Sequence, residues 1–103
     1  MTVTELRATL AEPEPPRSLS ALLVALWWDA KGDWSQAHNL ADEVGNLSDP
    51  AGSRDAAWVH AYLHRKEGDP GNAGYWYRQA GRAHSQASLD AEWQEIADYL
   101  LSR

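Results

Sequence analysis

A duplicated Gly-Asp turn constrains this chain more than any other feature. The stretch Leu26-Trp27-Trp28-Asp29-Ala30-Lys31-Gly32-Asp33-Trp34-Ser35-Gln36-Ala37 lies over residues 62–73, so that Gly32-Asp33 and Gly68-Asp69 coincide at an offset of 36 residues (32 against 68). The same offset sets Ala25 on Ala61, Ala37 on Ala73, Val44 on Ala80 and Gly45 on Gly81. Glycine ends a helix because it takes a left-handed backbone without a Cβ clash. Aspartate starts the next helix because its carboxylate accepts the free N–H groups of the first turn. Small residues at recurring sites let two helices cross closely. A period of this size made of two helices is that of a stacked helical-hairpin unit. The expectation is an all-α chain of two antiparallel hairpins, 19–45 and 54–81, bent at Gly32 and Gly68.

Local signals supply the flanks. Thr2 with Glu5 forms a capping box that opens a helix over 3–11, and Glu12-Pro13-Glu14-Pro15-Pro16 stops it in an extended, polyproline-like linker. Residues 1–17 therefore read as an N-terminal helical arm and linker, ahead of a single helical-repeat domain over 18–103. Ser18 reads as the cap of the next helix, whose Leu19, Leu22, Leu23, Leu26, Trp27 and Ala30 fall at three- and four-residue steps. Asp33 and Gln36 make a second capping box before a helix bearing Trp34, Ala37, Leu40, Ala41 and Val44, which Gly45 is expected to end. A Ser-, Asp- and Pro-containing stretch, 46–53, reads as a loop. The following helix, 54–67, is apolar or aromatic nearly all round and so central. Pro70 opens a helix that Gly81 ends. Ser88 caps a final helix over 89–102 that turns Leu89, Trp93, Ile96, Ala97 and Leu100 inward and packs on the second hairpin. Asp90 and Glu92 sit in its first turn, where negative charge suits the helix N-terminus.

Composition narrows the function classes. The 103 residues make one domain, and the net charge of −6 disfavours nucleic acid and anionic lipid. Without cysteine there is neither a disulfide framework nor a thiolate metal site. No apolar run is long enough for a membrane span and no basic leader precedes a hydrophobic stretch, so a soluble, cytoplasmic protein is expected. Six Trp and four Tyr, with no Phe, give every aromatic ring a polar atom that burial must satisfy, a composition suited to half-buried seams and interfaces. Aromatics left exposed on so small a domain would favour a homodimer.

The Gly-Asp-x-x-x-Ala pattern at both bends resembles the tetratricopeptide repeat, and Ala73-Gly74-Tyr75-Trp76-Tyr77-Arg78-Gln79-Ala80 resembles the A-x-x-W-Y-x-K-A signature of Sel1-like repeats. The likeness covers residues 19–81. His64 stands where the consensus first-helix aromatic falls, and Gly81 where a second Ala is expected. The block from His60 to Arg78 also resembles a run in short bacterial proteins. The resemblance implies a right-handed superhelix with a concave groove lined by the first helix of each unit: Leu19, Leu22, Leu26 and Asp29, then Asp55, Trp58, Tyr62, Arg65 and Lys66. Trp58, Tyr62, Arg65 and Lys66, with Arg78 nearby, combine stacking area with charge-assisted donors. They are the expected partner-binding residues for a protein, a peptide or its terminal carboxylate. In the alternative arrangement a terminal helix fills the groove.

His60 and His64 stand four residues apart on one helix face, the spacing at which two imidazoles share a metal, with His38, His84 or one of many carboxylates available as a third ligand. Transferred onto the hairpin, they face the packing seam, where they can equally serve as hydrogen-bonded core histidines. Arg65, Lys66, Arg78 and Arg82, interleaved with Tyr75, Trp76 and Tyr77, form a basic-aromatic stretch whose charge the acidic ends can neutralise. No phosphate loop or nucleophile motif is present, so no cofactor is expected. Non-catalytic protein–protein interaction is the first functional expectation. A metal- or ligand-binding, even enzymatic, protein centred on His60 and His64 is the second.

Overall fold

The computed structural model describes residues 1–47 and 49–103, residue 47 through its backbone only. Six α-helices and one 3-10 turn account for the regular structure, and no strand occurs among the described residues. They are α1 (Val3–Ala8, extended by the 3-10 turn Thr9–Ala11), α2 (Ala21–Ala30), α3 (Trp34–Leu47), α4 (Pro50–Glu67), α5 (Pro70–Ala80) and α6 (Leu89–Leu101).

Both bends have the expected chemistry. Gly32 and Gly68 each adopt φ +90°, and each closes its helix with the same pair of hydrogen bonds. Gly32 N–H donates to Asp29 O and Asp33 N–H to Trp28 O; 36 residues later Gly68 N–H donates to Arg65 O and Asp69 N–H to His64 O. This is the Schellman closure, which satisfies carbonyls the helix end would otherwise strand. Asp33 and Asp69 then each accept from the backbone N–H three residues on, of Gln36 and Asn72.

The structure departs from expectation elsewhere. Ser20, not Ser18, caps α2, because a turn from Pro16 O to Leu19 N holds the chain out of the helix until then. Of the expected 46–53 loop, residue 48 lies outside the described residues, and 46–47 and 50–53 are helical: Asp49 caps α4 through Gly52 N–H, and Pro50 takes the first-turn position where its missing N–H costs nothing. Gly45 does not end α3, which continues to Leu47. It faces Ala56 across the α3–α4 crossing, where a Cβ would stand 3.6 Å from the alanine methyl. Gly81, at φ +71°, ends α5 as foreseen, as Gly32 and Gly68 do their helices.

Consecutive helices pack on one another from α2 to α5, and α2 also meets α4. The small residues paired by the repeat, Ala25 with Ala61 and Ala37 with Ala73, are all fully buried. The final helix packs on α4 of the second hairpin, as expected, and equally on α2, with α1 also against it. Trp93, Ile96 and Ala97 carry that packing, and Leu6 of α1 is fully buried. The N-terminal arm is held by Trp27 Nε1 donating to Thr9 Oγ1, by Lys31 Nζ donating to the carbonyls of Leu10 and Glu12, and by the Arg7–Asp90 pair at 3.0 Å.

Nothing lies within 4 Å of a Cβ built at Gly32 or Gly68, so a side chain there meets backbone strain alone. Gly68→Ala and Gly32→Ala are each expected to cost about 1–2 kcal/mol, whereas Gly71→Ala, at an equally open position with no positive φ, should be neutral or stabilising. Thermal unfolding of the three variants checks this.

Candidate functional site

Helix α4 presents two chemically different faces. Trp58, Tyr62, Arg65 and Lys66 follow one another at helical spacing toward α2 and α6. His60 is about 200° around the helix from Trp58, at 3.6 residues per turn, and with His64 turns toward α3 and α5.

The first face was expected to be either an open partner groove or one filled by a terminal helix, and α6 covers it. Trp58 and Tyr62 are each 3% exposed. The indole N–H of Trp58 donates to Glu92 Oε2 at 3.2 Å, and Tyr77 Oη donates to the same carboxylate at 2.6 Å. Arg65 Nη1 pairs with Glu92 Oε1 at 2.8 Å, and its other nitrogen donates to Ala87 O. Tyr62 Oη donates to Asp29 Oδ2 at 3.0 Å, and Lys66 Nζ pairs with Asp29 Oδ1 at 3.0 Å. Asp55 accepts from Tyr99 Oη of α6 at 2.9 Å. Thus the cations expected to hold a ligand carboxylate hold two buried carboxylates of the chain itself, Asp29 at 2% and Glu92 at 1% exposure. Burial and the adjacent carboxylates push the Tyr62 and Tyr77 phenols upward, keeping them as donors. Arg78 is exposed on α5 and takes no part in this network among the described residues. Nothing in the spacing of Glu92, an acid in a helix's first turn, distinguished it from the exposed Asp90 beside it.

The second face assembles a cluster only half foreseen. His38 of α3 joins His60 and His64, and one nitrogen from each lies within 4.8 Å of the other two. Two indoles box the imidazoles in: Trp34 stacks on His38 (centroids 4.9 Å, 14°) and Trp76 on His60 (4.1 Å, 12°). His38 meets His60 and His64 edge-on at 4.7 and 5.1 Å. Trp34 is fixed in turn by its Nε1 donating to Leu63 O at 2.8 Å.

Each histidine has a different outer contact. The Nδ1 of His64 lies 2.6 Å from Glu67 Oε2 and 3.4 Å from Asn72 Nδ2. The shorter contact places the proton on Nδ1, donating to the carboxylate, and leaves the Nε2 lone pair free, the orientation that carboxylates impose on metal-binding histidines. His60 is 2% exposed, and its Nδ1 is buried without a hydrogen-bond partner. Its Nε2 stands 3.6 Å from Asp42 Oδ1, too far for a hydrogen bond. Burial, then the charge of His38, pushes His60 down to about 4, against the opposing pull of Asp42. Burial and then His64 lower His38 as well, opposed by Asp42 and Glu67. His38 and His60 are thereby held neutral near pH 7, the form that ligates metals. His84 lies apart, against Tyr77.

Two outcomes test this description. Glu92→Ala leaves Arg65, Tyr77 and Trp58 without their acceptor and should cost about 3–5 kcal/mol, the scale for stripping one partner from a buried ion pair; urea denaturation measures it. The metal-free protein should lose stability as pH falls from about 6.5 toward about 4. Over that range the unfolded chain protonates at His60 while the folded chain, facing His38, His64 and Asp42 there, does not. A flat stability profile across that range would contradict this assignment. No protein-family model matches this chain, and no curated protein or solved structure matches it.

Proposed function

We propose that this protein binds a divalent first-row transition-metal ion, zinc foremost, through His38, His60 and His64. The scaffold on this reading is a pair of tetratricopeptide/Sel1-like hairpins, with α3 supplying one ligand and the first helix of the second hairpin two. The observation that carries the proposal is the mutual approach of three histidine nitrogens within 4.8 Å, one of the rings bearing a buried nitrogen with no other partner. A buried polar atom left unpaired costs free energy, and a metal ion is the ligand that three converging imidazoles suit. Glu67 supports the reading as the outer carboxylate that orients His64.

This reading fits the geometry better than the peptide groove. A partner for Trp58, Tyr62, Arg65 and Lys66 would first have to displace α6 and strip Glu92 of the donors it holds.

Chelator-stripped protein titrated calorimetrically with zinc should show one ion per chain. His38→Gln and His64→Gln should each weaken binding at least tenfold while circular dichroism stays helical, and His84→Gln should change nothing. No heat at micromolar zinc, or equal binding by the His38 and His64 variants, overturns the proposal.

A further inference from the structure

A cleft of about 230 Å³ opens beside the histidine centre, between α3, α4 and α5. Asp42 and Asn46 line it from α3, Ser53 and His60 from α4, and Trp76 and Gln79 from α5. His60 therefore belongs to both the cleft and the cluster. On the opposite side, half-buried Trp34 backs half-buried His38, and His64 is buried against Glu67 and Asn72.

We infer that the metal centre keeps one coordination position open toward this cleft, and that a small uncharged molecule with a nitrogen or carbonyl-oxygen donor binds there. The inference rests on the metal-binding reading above. Among the described residues no fourth His, Asp or Glu joins the mutually close ligand atoms. Three protein ligands leave the fourth tetrahedral position to a water or a substrate, the arrangement of catalytic rather than structural zinc. The cleft sets the size and charge of what enters. Its volume is about that of seven or eight waters, at roughly 30 Å³ each, room for a few heavy atoms. No Lys or Arg lines it, and the Asp42 carboxylate, 3.6 Å from His60 Nε2, repels anions. Asn46, Ser53 and Gln79 offer uncharged donors and acceptors, and the Trp76 indole that backs His60 supplies a flat apolar wall.

Cobalt(II) makes the coordination visible. The metal-free protein is loaded with Co²⁺ and titrated at constant pH with imidazole, or separately with azide, while its visible absorption is followed. The same is done with Ser53→Leu, which narrows the cleft and leaves all three histidines in place. The expected result is a saturable spectral change with imidazole, at least tenfold weaker with azide, and at least tenfold weaker for imidazole in Ser53→Leu at unchanged Co²⁺ affinity. Absence of cobalt bands altogether overturns the metal reading and this inference together. Cobalt bands that neither probe alters mean a closed centre, which overturns this inference and leaves metal binding standing. An equal response in Ser53→Leu removes the cleft as the route, and an equal response to azide removes the preference for uncharged ligands.

Discussion

The buried carboxylate of Glu92 ties the molecule together. One acid, almost without solvent contact, accepts from an indole on α4, a phenol on α5 and a guanidinium on α4. A charge can be removed from water only where several donors replace its hydration, so α6 has a single acceptable seat, over the face of α4 that carries Trp58 and Arg65. Asp29 performs the same task for α2 through Tyr62 and Lys66. Apolar packing alone would hold α6 in several registers. These donors select one.

That closure explains why α4 is central to both the fold and the candidate chemistry. Its Trp58–Tyr62–Arg65 side is spent on internal carboxylates, which removes it as an open surface. Its His60–His64 side meets α3 and α5 through aromatic rings, where the imidazoles stack on indoles but find few hydrogen bonds. The first side is electrostatically satisfied. The second gathers three imidazoles between two indoles, with Asp42 and Glu67 at its edge. The aromatic composition serves both sides: the indole N–H groups of Trp27, Trp34, Trp58 and Trp93 each donate across a helix–helix seam.

Much of the fold was legible because its determinants are local. Gly32 and Gly68 announce their turns through the backbone freedom of glycine, and Asp33, Asp69 and Ser88 announce helix starts through carboxylate and hydroxyl caps. Gly45 misled because glycine has two uses, helix termination and close packing, and only the presence of Ala56 opposite it distinguishes them. The 46–53 stretch misled similarly, since Asp49-Pro50 starts a helix as readily as it makes a loop. For the site, the i, i+4 spacing of His60 and His64 pointed to one face, and His38 was one of several candidate third ligands, beside His84 and the carboxylates. Choosing it over His84 required knowing that α3, not the segment after α5, lies over that face.

By itself, the sequence determined that the chain is helical and where its two tight bends fall, because each depends on backbone dihedrals or on neighbours a few residues away. Tertiary structure alone decided that α6 closes the groove, that Glu92 rather than Asp90 is buried, and that three histidines from two helices converge. Those outcomes depend on which distant faces meet, and the free energy of a buried charge or a shared ligand arises only when residues far apart in the chain supply its partners.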